Sequence, residues 1–277
     1  MGRLCAVLMI VAGLTLAPAA LADSALSSNW AGYAVHRPGA SFRAVQAAWR
    51  EPAVTCTAGR RTFSSYWVGL GGFSQASQSI EQIGTEADCT RFGVPRYSAW
   101  YELLPAPSEP IRLAIAPGDV VAAKVTVRGR RVAFELRDLT SGRAFSQALF
   151  ARRLDLSSAE WIVEAPSDCL TATQCVTLPL ADFGAASFTA ARAQGALGRW
   201  GTIARPFWRA TRITLQPGAQ RLLTAGGAAA ASGGAHTGPL AAGGQAFTVS
   251  YSAAPGAIRP GGLHGVIRLG PRAAGAR

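Results

Sequence analysis

The sequence predicts an all-β protein, a sandwich or a barrel. Runs rich in β-branched and aromatic residues recur at intervals of about ten residues, each closed by Gly, Pro, Asn, Asp or Ser. No stretch repeats its apolar residues with a helical period over a convincing length. In the middle of the chain, Val120 to Val127 and Val132 to Leu136 alternate apolar and polar side chains, the signature of strands with one buried face.

Of the 277 residues, the first 22 carry a short basic start (Met1-Gly2-Arg3), an apolar run from Leu4 to Leu16 and a small-x-small site at Ala20-Leu21-Ala22. They are read as a secretory signal peptide. The run is too short for a membrane-spanning helix, so no membrane insertion is expected once it is removed. The remaining chain is long enough for one large all-β domain or two small ones. It is read as one domain over 23–252, followed by a basic tail at 253–277 that is poor in strand formers and expected to be disordered.

Within the domain, Ser27-Ser28-Asn29 introduces a strand through Trp30 and Val35. Ser41 to Arg50 alternates and ends at Glu51-Pro52. Thr62 to Leu70 stops at Gly71-Gly72, Ser79 to Gly84 is short, and Arg96 to Leu104 is aromatic. After the turns Pro117-Gly118-Asp119, Gly129 and Thr140-Ser141-Gly142 come the Glu160–Glu164 strand and a loop bounded by cysteines. Ala186 to Ala190, Arg212 to Leu215 and Gln245 to Tyr251 complete the set. Ala190 to Leu197 is read as a helical turn, and the Gly/Ala-rich Gly226 to Gly244 as a flexible connection.

Once Cys5 leaves with the leader, Cys56, Cys89, Cys169 and Cys175 remain, an even number suited to two disulfides in an oxidising compartment. Cys169–Cys175 closes a short loop, and Cys56–Cys89 follows by elimination. The formal charge of +12 rests on arginine, with Lys124 the one lysine. The arginines are scattered, with neither a basic helix nor an aromatic-basic module, so nucleic acid is not an expected partner.

Elimination narrows the chemistry. There is no G-x-S-x-G elbow, and His36, His236 and His264 are isolated, which argues against a histidine triad or a metal site. With the cysteines paired, carboxylates and amides are left. On the strand around Trp161, Glu160, Ile162 and Glu164 share one face, an unusual place for two acids in a chain with 15. They stand ~13 Å apart along an extended strand, so they do not pair with each other. Partners must come from neighbouring strands, where Gln82 and Glu102 sit among apolar residues.

Six segments then occur in order: Ser28-Asn29-Trp30-Ala31-Gly32, Trp67-Val68-Gly69-Leu70-Gly71, Glu81-Gln82-Ile83-Gly84, Ala99-Trp100-Tyr101-Glu102, Ala159-Glu160-Trp161-Ile162-Val163-Glu164 and Ala181-Asp182-Phe183-Gly184. Together they resemble the glutamic peptidases, or eqolisins, over Ser27 to Tyr251. The resemblance implies an antiparallel β-sandwich of two large sheets, of the lectin-like kind, with a substrate cleft across one concave face. It also implies an endopeptidase acting on polypeptides without metal or cofactor; with the leader, a secreted monomer is expected. The resemblance places the catalytic pair at Glu164 and Gln82, and substrate-binding or supporting roles at Trp30, Trp67, Trp100, Glu102 and Glu160. Apolar surroundings raise a carboxyl pKa, which with the resemblance implies an acidic optimum.

The chain departs from its fungal relatives in three ways. They commonly carry an Asp where this chain has Gly71. They have an N-terminal prosegment, which is not expected in the few residues between Ala22 and Asn29. The third departure is the basic charge, since most acid peptidases are acidic proteins. On the residues alone two other functions stay open: a lectin-like or peptide-binding module without turnover, and a glycosidase using Glu164 with Glu102.

Overall fold

The structure, a computed structural model, describes residues 22–74, 77, 79–171, 174–219 and 233–253. Nearly all of the expected leader and tail therefore lies outside the described residues. In chain order the strands are β1 (Asp23–Ser27), β2 (Trp30–His36), β3 (Phe42–Arg50), β4 (Ser65–Leu70), β5 (Glu81–Cys89), β6 (Pro95–Leu103), β7 (Glu109–Ile111), β8 (Val120–Arg128) and β9 (Arg131–Asp138). They continue with β10 (Ala144–Phe150), β11 (Ser158–Glu164), β12 (Ser167–Thr171), β13 (Gln174–Thr177), β14 (Ala185–Gly195), β15 (Trp200–Thr202), β16 (Arg209–Leu215), β17 (Gly234–Thr237) and β18 (Phe247–Ser252). A single 3₁₀ turn, Ala242–Gly244, is the one helical element among the described residues.

Hydrogen bonding joins the strands in the order β10-β9-β8-β3-β14-β18-β17-β16-β2-β11-β4-β5-β6-β7, with β1 added to β16 and β15 to β14. The path folds over so that β4, β5 and β11 of one half lie against β3, β8, β9 and β14 of the other, giving the expected β-sandwich. All pairings between these strands are antiparallel except that of β1 with β16.

Alternation decides which side chains enter the core. On β8 Val121, Ala123, Val125 and Val127 are buried and the residues between them are not. On β4 both faces are buried: Tyr66, Val68 and Leu70 join the main core, whereas Trp67 joins a second, smaller cluster on the far face. The two halves meet through rings. Tyr101 of β6 lies 5.2 Å from Phe134 of β9 and 5.6 Å from Phe145 of β10. Burying each such ring stabilises the fold by roughly 1.5–3 kcal/mol.

Two expectations are corrected. The helical turn at Ala190–Leu197 is strand: β14 continues to Gly195 because a bulge after Thr189, with Ala190 at φ 50°, re-aims the chain without breaking the sheet. The connection expected over Gly226–Gly244 contains β17, which pairs with both β18 and β16. Small residues suit it because Gly234 packs against the Leu215 carbonyl.

The Cys56–Cys89 disulfide forms as expected, tying β5 to the segment after β3 across 33 residues. Cys169 and Cys175 face each other in the register of the β12–β13 hairpin; the Cys169 side chain lies outside the described residues. Removing the first bridge by Cys56→Ser with Cys89→Ser is expected to cost about 3–4 kcal/mol from loop-closure entropy. Thermal unfolding followed by circular dichroism should show a midpoint lower by about 10 °C. A shift under ~2 °C would mean that the bridge does not constrain the unfolded chain.

Candidate active site

Strands β2, β11, β4, β5 and β6 run side by side, and their register arranges the motif residues in rows on the face opposite the main core. One row reads Trp30, Glu164, Ser65, Glu86, Ser98; the next Gly32, Ile162, Trp67, Gly84, Trp100; the third Ala34, Glu160, Gly69, Gln82, Glu102. Glu86, Asp88, Glu102, Glu160 and Glu164 thus bring a third of the chain's 15 acidic residues to one face of a basic molecule. Carboxyl chemistry is concentrated here.

Glu164, at the end of β11, is half-buried, and its carboxylate is fixed from β4 and from the turn before β2. Trp67 Nε1–H donates to Oε2 at 2.9 Å, and Asn29 Nδ2–H donates to Oε1 at 3.1 Å. Asn29 is itself oriented by the turn preceding β2, where Ser27 Oγ donates to Asn29 Oδ1 at 2.9 Å. The short polar residues before Trp30 therefore aim an amide at the glutamate as well as turning the chain. Trp67 has room for this reach because its neighbour in the row is glycine. A Cβ on Gly84 would stand 2.2 Å from the Tyr66 carbonyl and 2.6 Å from Trp67 Cβ, so no larger residue fits.

Gln82, 5 % exposed, donates from Nε2 to Glu102 Oε2 across the β5–β6 pair. Its Oε1 has no hydrogen-bond partner among the described residues. Burial pushes Glu102 up to about 7; the Gln82 hydrogen bond opposes the rise and the charge of Glu164 adds to it. On a flat sheet the α-carbons of Gln82 and Glu164, two strands and two rows apart, would be about 16 Å from each other. The charge of Glu164 nonetheless acts on Glu102, the partner of Gln82, three strands away.

Trp30 and Trp67 meet edge to face at 5.0 Å, and with Trp100, Ile80, Ile162, Ile213 and Ala34 they form the apolar cluster on this side. Both Trp30 and Trp67 are buried, so they form the floor of the site, and Trp100 is nearer its surface. Glu160 is 0 % exposed, and neither carboxylate oxygen has a hydrogen-bond partner among the described residues. Burial pushes its carboxyl well above the ordinary range; Asp155 and Glu81 add to this, and the nearby Ser158 hydroxyl tempers it without making a hydrogen bond.

Glu164 with Trp67 and Gln82 with Glu102 are thus brought together, and Glu160 is set apart. Asn29 was legible as a turn former; its amide, placed one residue before an aromatic strand, was the signal for its second role. Glu86, which accepts from Ser98 Oγ at 3.1 Å, and Asp155, discussed below, carried no such signal.

One face of this β-sandwich holds aromatic residues, carboxyls and a buried glutamine, the combination that the resemblance to the glutamic peptidases implies. The family model described as the peptidase A4 family matches residues 28–232, and the chain belongs to that family. Among solved structures it is similar to scytalido-glutamic peptidase with a transition-state analog inhibitor, at TM-score 0.62 and 23% identity over 81% of this chain and 98% of that one. It is also similar to SCP-B, an eqolisin-family member in complex with the tripeptide Ala-Ile-His, at TM-score 0.55 and 22% identity over 81% and 98% of the two chains. Aspergilloglutamic peptidase from Aspergillus niger matches at TM-score 0.53 and 23% identity, over 69% of this chain and 99% of that one. No curated protein sequence matches the chain.

Proposed function

We propose that the chain is a secreted endopeptidase that hydrolyses polypeptides at acidic pH through a water activated by Glu164 and Gln82. The observation that supports this best is that the two polar groups share one face of a twisted sheet, each fixed by its own hydrogen bonds. Glu164 accepts a proton from the attacking water as its oxygen bonds to the scissile carbonyl carbon. The amide of Gln82 has two hydrogens; one is held by Glu102, and the other is available to the oxyanion of the tetrahedral intermediate. Glu164 then returns its proton to the leaving nitrogen as the C–N bond breaks.

Trp100 and Glu102 line the substrate side in this scheme, with Trp30, Trp67 and Glu160 supporting them from below. Below pH ~7 Glu102 is neutral, so Glu164 works without a second negative charge beside it. The alkaline limb of activity should therefore fall through that region. The Cys56–Cys89 bridge and the leader-like first 22 residues support export.

The test is a pH–activity profile on a denatured protein, with and without chelator, for wild type beside Gln82→Ala. Activity confined to the acid side and indifferent to chelator is expected, with kcat/KM down about 10²–10³-fold in the variant. Full activity in Gln82→Ala would remove the glutamine from the mechanism.

A further inference from the structure

We propose that Asp155 is a positioning residue for Gln82, acting through the chain that connects β4 to β5. This rests on the Glu164–Gln82 reading above.

Gly71 ends β4 at φ +79°, and a Cβ there would lie 2.4 Å from the Asp155 carbonyl oxygen and 2.8 Å from Asp155 Cβ. The segment before β11 therefore occupies the place a side chain at position 71 would take. Its carboxylate gathers donors from both sides of the gap. Gly72 N–H donates to Oδ2 at 3.3 Å, Ser77 Oγ donates to Oδ2 at 2.5 Å, and Ser157 N–H donates to Oδ1 at 3.0 Å.

The anchoring then runs toward the site. Ser77 Oγ lies 2.9 Å from the Ser79 carbonyl, and Ser79 Oγ donates to Glu81 Oε1 at 2.6 Å, one residue before Gln82. Ile80, between them, is buried in the cluster with Trp67 and Trp100, and its carbonyl accepts from Leu104 N–H at 3.1 Å. Holding Gly72 and Ser77 thus fixes where β5 begins, and so how deep Gln82 sits beside Glu102. Burial opposes the charge on Asp155, but the hydrogen bonds from Ser157, Ser77 and Gly72 outweigh it and hold the carboxyl below its ordinary range. The anchor therefore persists in acid. Of the ionisable groups around it, Glu81 and Glu160 are pushed the other way by burial, so Asp155 is the one carboxylate of the three that carries charge there.

A positioning role separates from a structural one by its readout. Asp155→Asn keeps the size but loses an acceptor, Asp155→Ala removes both, and Ser77→Ala cuts the next link. Each is assayed at least 15 °C below its own unfolding midpoint on the full chain. Each is expected to lower kcat about tenfold with KM within twofold, because a displacement on the 1 Å scale falls on the chemical step. Amide exchange of Glu81 to Gly84 should quicken in the same variants. Wild-type kcat in folded Asp155→Ala and Ser77→Ala would overturn the proposal, as would a loss confined to KM or one matching the unfolded fraction. Full activity in Gln82→Ala would instead fail the dyad reading. The exchange measurement then decides alone, and unchanged protection at Glu81 to Gly84 overturns the role of Asp155.

Discussion

Glu164→Gln is expected to lower kcat/KM on a denatured protein substrate by about 10³–10⁴-fold while leaving the fold in place. Glutamine matches the glutamate in size but has no basic oxygen to take a proton from water. Its amide also meets two N–H donors, Trp67 Nε1 and Asn29 Nδ2, where the carboxylate offered an acceptor to each. One donor is left facing another, at a cost of about 1–3 kcal/mol. That is tolerable for a domain of this size and visible as a small fall in the unfolding midpoint. Glu160→Gln is the matched control. Its carboxyl is buried and pushed toward the neutral form, which an amide imitates, so activity within a few-fold of wild type is expected. Steady-state kinetics on the two variants decide between the glutamates. Near-wild-type turnover in Glu164→Gln, or a collapse in Glu160→Gln with the fold intact, would reverse the roles given to them.

The second large effect concerns stability against pH. Glu51 and Glu81 are buried at 1% and 0% exposure, and burial pushes each carboxyl up to about 8. The hydrogen bonds from Thr85 and Trp49 to Glu51, and from Ser79 to Glu81, oppose that rise without cancelling it. Glu160 is displaced in the same direction. Between the unfolded carboxyl value near 4.5 and these folded values, the native state holds more protons than the unfolded chain. Stability must then fall as pH rises through that window, and is fully present below it. Together the groups amount to a loss on the order of several kcal/mol between pH ~5 and ~8. Thermal unfolding across that range should give its highest midpoint on the acid side. Glu51→Gln, which keeps an acceptor for Thr85 and Trp49, should flatten the decline. A midpoint that is constant or rises toward pH 8 would contradict the protonated burial of these groups.

The two effects act in one direction. The proposed chemistry favours a neutral Glu102 and the fold favours neutral Glu51, Glu81 and Glu160, so activity and stability decline over the same pH range. Disulfide removal, by contrast, weakens the fold at every pH, because its contribution lies in the entropy of the unfolded chain.

Much of this was legible in one dimension because alternation and turn chemistry are local. Trp67 and Tyr66 had to face opposite ways once Thr62 to Leu70 was a strand, and Gly71 had to end it. Glu160 and Glu164 had to share a face and be too far apart to pair. The order of six short segments pointed to the family, to which the chain belongs. Local rules failed where a tertiary contact overrode them. At Ala190 a bulge kept the chain in the sheet where the alanine run suggested helix, because the neighbours β3 and β15 supplied partners for the backbone beyond it. At β17 a Gly/Ala-rich stretch became a strand for the same reason.

What the sequence determined by itself was therefore the inventory: an all-β chain, the faces on which its polar residues lie, and carboxylate and amide as the groups able to do chemistry. Only the tertiary structure decided how those groups divide the work. Burial at 0 % separates Glu160 from Glu164, though both stand on one face of β11, Glu160 two residues after its start and Glu164 at its end. The charge of Glu164 acts on Glu102, Gln82's partner three strands away, a relation that no single strand's pattern contains. Asp155 stands beside Gly71 although 84 residues separate them in sequence (155 minus 71), because the segment before β11 is laid over the end of β4. Periodicity is a property of one strand, but burial, twist and long-range contact belong to the assembled sheet.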